Sequence, residues 1–187
     1  MNTRSRREPM SRARGVPPPP SIYAHSSALR GDEHCNPIIV VNDTFSVPRQ
    51  GARALRTRSP CTIYCWVPPY AFLDTLVDAV EAVSKCPFVV YPVRSTEEAL
   101  LVPKGVKLSL LEVCGASVRL LKTEGDAVRK REPLAYVLTR KREVRVVRAS
   151  GEGVVVYISE LSYSHPERYV IALAGAGDVR RLRRASG

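Results

Sequence analysis

Apolar residues follow two different rhythms along this chain. Between residues 37 and 107 the short β-branched and aromatic runs IIVVN, CTIYCWV and FVVYPV read as strands, and a stretch of another period separates the last two. In PPYAFLDTLVDAVEAVSK, the positions Leu73, Leu76, Val77, Val80 and Val83 recur at three and four. That spacing predicts an amphipathic helix of about four turns, with the paired prolines in its lead-in. Strand, helix and strand within about 30 residues predict a small βαβ unit, right-handed if its strands are parallel. STEEALLVPKG then begins at Ser95 with Glu98 three residues later, a capping-box pattern, and stops at Pro103 and Gly105. A short helix or turn is expected to end this first domain.

After Lys107 the helical period disappears. The runs KLSLLEVC, SVRLL, PLAYVLT, EVRVVR, GVVVYIS and RYVIALA follow one another, separated by charged and glycine-containing turns. Short, regularly spaced strands predict an all-β sandwich or barrel. This half also repeats itself: a shift of 36 residues places Gly115 on Gly151, Val118 on Val154, Leu120 on Val156, Leu134 on Val170 and Val137 on Leu173. A duplication predicts two β half-units around a pseudo-twofold axis, closing one core that neither buries alone.

Residues 115–158, GASVRLLKTEGDAVRKREPLAYVLTRKREVRVVRASGEGVVVYI, resemble the biotinyl/lipoyl attachment domains. Glu124-Gly125-Asp126 with Val128 looks like that family's turn, Leu134 like its following strand, and Gly153-Val154-Val155 like its last motif. Lys141 looks like the lysine of its attachment hairpin. The resemblance implies a barrel-sandwich hybrid and, for a working carrier, biotin or lipoate on Lys141. Carriers present Met-Lys-Met or Asp-Lys-Ala, whereas this chain has Arg140-Lys141-Arg142, and the glycine the pattern expects just before the aliphatic strand is absent, with Arg131 and Glu132 nearby. The interval from Thr139 to Gly153 is one residue longer than the lipoyl pattern. Residues 37–177 as a whole also resemble an uncharacterised archaeal family with a lipoyl-like fold and no assigned activity.

Charge and composition bear mainly on the ends. The net charge is +11, of which residues 1–36 and 178–187 carry +3 each. The middle is only mildly basic, which weakens a dedicated nucleic-acid reading. Residues 1–36, with an Arg-rich start and the run Pro17 to Pro20, are expected to be disordered, and 178–187 to be a frayed basic tail. Met1 and Met10 both qualify as starts. No run reaches the ~18 apolar residues of a membrane span, and no apolar segment follows the basic start as in a secretory signal, so a cytoplasmic protein is expected.

The candidate chemistry is thin. Five cysteines, Cys35, Cys61, Cys65, Cys86 and Cys114, read as buried or unpaired thiols of a reducing compartment, although a hyperthermophile source would admit a disulfide. His34 and Cys35 with Cys61 and Cys65 lack the close spacing of a zinc knuckle, so no metal site is predicted. His165 has no evident Ser/Asp partners, and the GAG and GEG turns are not phosphate-cradling loops. Asp74, Asp78 and Glu81 suit the solvated side of the predicted helix. The turns Arg129-Lys130-Arg131 and Arg140-Lys141-Arg142, with Arg145 and Arg148, form either an anion or partner contact or a solvated surface paired with Glu124, Asp126, Glu132 and Glu143.

The expected architecture is therefore α+β: a disordered tail (1–36), a small α/β domain (37–107), a lipoyl-like β domain (108–177) and a basic tail (178–187). The expected function is a non-catalytic binding or assembly module with a protein partner and no resident cofactor. The alternatives are a covalent carrier through Lys141 and an accessory RNA or ribonucleoprotein binder. No nucleophile or general base with a partner is apparent, so no reaction is predicted.

Overall fold

The runs FVVY and EALLV are apolar at nearly every position because both of their faces are buried, which is the burial state that removes alternation from a strand. The computed structural model describes residues 21–28, 37–48, 61–68, 72–92, 95, 97–162 and 166–185, and these are nearly all β. The first eight strands are β1 (Ser21–His25), β2 (Pro37–Val41), β3 (Thr44–Ser46), β4 (Thr62–Val67), β5 (Val77–Asp78), β6 (Val83–Ser84), β7 (Phe88–Tyr91) and β8 (Glu98–Val102). The rest are β9 (Leu108–Gly115), β10 (Ser117–Leu120), β11 (Ala127–Val128), β12 (Pro133–Leu138), β13 (Val144–Arg148), β14 (Gly153–Ser162), β15 (Glu167–Ala174) and β16 (Arg180–Arg184). Helical structure among the described residues is one 3-10 turn, Ser26–Ala28, and one π-helical turn, Phe72–Leu76.

Seven strands close a barrel in the order β1-β4-β2-β3-β16-β8-β7. This overturns the α+β expectation and its βαβ unit. Strand β1 lies between β4 and β7, antiparallel to both, so the two strands expected to flank a crossover helix never become neighbours. Residues 21–25, within the segment read as disordered, supply β1, and residues 180–184, within the segment read as a frayed tail, supply β16. Composition hides them because each contributes few inward side chains: Tyr23 from β1 and Leu182 from β16 enter the barrel core beside Ile38, Phe45, Tyr64 and Val89.

The predicted four-turn helix is also absent. Leu76 and Val77 are fully buried, but Val80 is 90% exposed, so the apparent helical stripe does not lie on one surface. The Asp78 carboxylate accepts the N–H groups of Val80 (3.0 Å) and Glu81 (3.1 Å), a local turn that competes with helix formation. Ala82 then takes a left-handed backbone, φ 52°, and β6 returns along β5. The N–H of Leu108 donates to Ala82 O (2.7 Å), the N–H of Ser84 donates to Val106 O (3.0 Å) and that of Val106 to Ser84 Oγ (2.9 Å), so distant residues satisfy backbone groups of Ala82 and Ser84 that a helix would have used. At Ser95 the capping bond does form, with Glu98 N–H donating to Ser95 Oγ (2.9 Å), yet it leads into β8 rather than a helix.

Strands β9 to β15 make two sheets, β10-β12-β13 and β11-β14-β15-β9, around Leu134, Val137, Val155, Ile171 and Leu173. Each takes its last strand from the other half of the repeat. Val137 faces Arg145 and Tyr136 faces Val146; 36 residues on from the first partner and 36 back from the second, Leu173 faces Ser109 and Ala172 faces Leu110. The β12–β13 and β15–β9 registers are thus the same register under exchange of the halves. The two modules meet where Ala172, Ala174, Leu108 and Val156 pack on the outward residues Ile22, Phe88, Val90 and Leu100 of the barrel.

Candidate surface on the Lys141 hairpin

Strands β12 and β13 are joined by a reversal at Thr139 to Glu143. Arg142 N–H donates to Thr139 O (2.9 Å), Thr139 N–H donates to Glu143 O (2.9 Å), and Glu143 N–H donates to Thr139 Oγ1 (3.2 Å). Arg142 sits in the left-handed region at φ 61°. This closes a turn with one extra residue on the β13 side and leaves Arg140, Lys141 and Arg142 exposed. The equivalent reversal in the other half, where Asp178 N–H donates to Gly175 O (3.0 Å), places Gly177 opposite Lys141 in the repeat.

The second cationic turn lies at the other end of β12. Arg131 N–H donates to Ala149 O (3.0 Å), Glu132 N–H to Arg129 O (3.0 Å), and Arg148 Nη1 to Arg131 O (3.0 Å). An open depression of about 640 Å³ is lined by Ala127 to Glu132, but these inward backbone donors are already used. Five residue steps along β12 correspond to roughly 17 Å, so Arg129-Lys130-Arg131 and Arg140-Lys141-Arg142 do not converge on one anion. Arg131 has φ 65°, a left-handed conformation that a glycine adopts without cost. Arg131→Gly is expected to raise stability by about 1 kcal/mol, read as a higher urea midpoint at unchanged slope.

The expected ion-pair network is sparser than the composition implies. Glu132 pairs with Lys122, and Glu143 reaches Arg145 at 3.5 Å. Asp126 instead accepts Thr123 N–H (2.8 Å), and Glu124 is buried, accepting Ile158 N–H (3.2 Å). Burial pushes the Glu124 carboxyl up and nearby Asp126 adds to this, against the pull of its own and Ile158's backbone N–H groups. Between its ordinary and raised values the folded state holds a proton that the unfolded chain has released, so stability falls as pH rises through that window. Glu124→Gln keeps an acceptor for Ile158 and removes the buried charge. A gain on the order of 1 kcal/mol at pH 7 is expected. It should shrink as pH falls below about 4, where Glu124 becomes protonated in the folded and unfolded chain alike, and thermal melts at the two pH values measure the difference.

The alternation passed over one cluster. On the outer face of β12–β13, Tyr136 is opposite Val146 and Leu138 opposite Val144, and the four are 42%, 40%, 38% and 67% exposed. Arg119 of β10 stands opposite Tyr136. The signal was present in PLAYVLT and EVRVVR, where apolar residues occupy both phases of a two-residue period. Under the 36-residue shift these positions become Ala172, Leu110, Ala174 and Leu108, which in the other sheet pack against the barrel. One sheet's outer face is covered, and its twin is open.

Of the cysteines, Cys65 is disulfide-bonded, which replaces the expectation of a buried thiol there. Cys86 is half-buried, and burial raises its thiol above the usual range. His34, Cys35 and His165 lie outside the described residues. Asp74 is exposed on the π-helical turn and Asp78 lies in β5, so the two do not share a helix face. No helix among the described residues is long and apolar enough to cross a membrane.

The fold defines an all-β protein in which a closed seven-stranded barrel is joined to a duplicated pair of sheets. A family model described as an uncharacterised protein conserved in archaea (DUF2118) matches residues 51–183. The chain belongs to that family. No curated protein matches it.

Proposed function

We propose that this protein is a non-catalytic binding or assembly module, with β9 to β15 serving as a lipoyl-like platform and the outer face of β12–β13 as its partner surface. The observation carrying this reading is the unequal treatment of two equivalent faces. Leu108, Ala172 and Ala174 are covered by the barrel, whereas Tyr136, Leu138, Val144 and Val146 remain open. A contiguous apolar patch rimmed by charge is characteristic of an interaction site. The test is a photo-crosslinking residue placed at Tyr136 and, as a control, at exposed Val80, in the native host. Partner adducts specific to position 136 support the reading, and identical adduct patterns at both positions remove it.

The hairpin geometry favours a second reading, a covalent carrier. Lys141 is exposed at the reversal between two strands, the placement implied by the biotinyl/lipoyl resemblance. Its two arginine neighbours would confront a modifying enzyme with strong positive charge. The intact mass of protein from its native source decides the matter: a biotinyl or lipoyl increment lost in Lys141→Arg supports a carrier, and an unmodified mass excludes it under those growth conditions.

A further inference from the structure

We propose that β13 is an acceptor edge that takes up an extended acidic segment of a partner protein as an added antiparallel strand; this rests on the binding-module reading above. Among the described residues β13 pairs with β12 alone, so its other side offers unpaired backbone groups. The register from Val144 to Val147 contains no bulge, and β13 contains no proline, two devices that would otherwise close an edge. Four of its five residues are exposed, with Val147 half-buried.

The side chains select the occupant. In an added strand alternate residues project to opposite faces. Those on the outer face would lie beside Val144 and Val146, and those on the other face beside Arg145, whose side chain is 72% exposed. Cations at the hairpin tip extend this positive edge, and Glu143 is the one carboxylate within the Arg140–Arg148 stretch. An alternating apolar and acidic segment satisfies the backbone, the valines and the arginine together. A second copy of β13 brings a single carboxylate, Glu143, to set against the cations of this edge. A nucleic acid supplies no peptide ladder. Main-chain bonds would provide affinity and the alternating side chains specificity.

The test uses the full-length protein and a fluorescein-labelled octapeptide of alternating valine and glutamate, followed by anisotropy at low salt. Binding is expected, with the valine–lysine counterpart weaker by about tenfold or more. N-methylation of the amides facing β13 should abolish binding, and methylation in the other register should leave it. Arg145→Glu, an exposed change expected to preserve the melting temperature, should weaken the valine–glutamate peptide by about tenfold. Equal affinity for both peptides, insensitivity to methylation in both registers, or an unchanged affinity in Arg145→Glu overturns the proposal. Adducts at position 136 without peptide binding would leave the binding-module reading standing and remove this one.

Discussion

Deleting residues 180–187 is expected to unfold the amino-terminal barrel rather than trim an inert end. Strand β16 lies between β3 and β8, parallel to the first and antiparallel to the second, so its loss exposes two ladders at once. It also removes Leu182, fully buried against Phe45, Ala99 and Leu101. Arg180 adds an ion pair with Asp43, and Arg181 donates to Gly125 O (3.4 Å) in the neighbouring module. Leu182→Ala alone should cost about 2–5 kcal/mol, a large part of the ~5–15 kcal/mol that holds an ordinary domain together. Arg183→Ala, at an exposed site, should stay within about 0.5 kcal/mol. Urea titrations of the two variants and circular dichroism of the truncated chain measure this. A truncated protein that melts like the full chain would show that β16 does not close the barrel.

Gly153→Ala is expected to destabilise the protein by about 3 kcal/mol, whereas Gly151→Ala, two residues earlier, should be nearly neutral. A Cβ at position 153 would lie 2.2 Å from the carbonyl oxygen and 3.1 Å from the carbonyl carbon of Ala174, and backbone cannot swing aside as a side-chain end can. A Cβ at Gly151 meets nothing within 4 Å. The contrast also probes the repeat. Gly115, the 36-residue counterpart of Gly151, has Val137 Cγ1 at 2.3 Å and Leu138 O at 2.9 Å from its would-be Cβ. Gly115→Ala should therefore be damaging although its twin is tolerant. Thermal melts of the three variants would test this, and equal tolerance at 151 and 153 would contradict the close approach of β14 to the end of β15.

Much of the carboxyl-terminal half was legible because its strands are buried on alternate sides by near neighbours in the chain. The runs PLAYVLT and EVRVVR form β12 and β13, and Lys141 falls on the reversal between them. The 36-residue repeat was legible as spacing, but the exchange of the outer strand between halves was not. Nothing local states that β9 pairs with β15 rather than with β10. The open face at Tyr136 and Val144 required the same knowledge, since a half-apolar strand reads alike whether its second face is covered or bare.

What the sequence determined by itself was therefore the strand-forming character of its apolar runs and the place of one charged hairpin, properties of residues a few positions apart, together with a weak internal repeat visible as spacing alone. The tertiary structure decided the barrel. Leu73, Leu76 and Val77 suit a helix as well as a tight hairpin, and hydrogen bonds from Val106 and Leu108 selected the hairpin. Strands β1 and β16 have too few inward side chains to signal their own burial. They become strands because opposite ends of the chain complete one ring, and the free energy of that closure belongs to partners far apart in the sequence, as in the Ile22–Val90 and Arg184–Phe45 pairings.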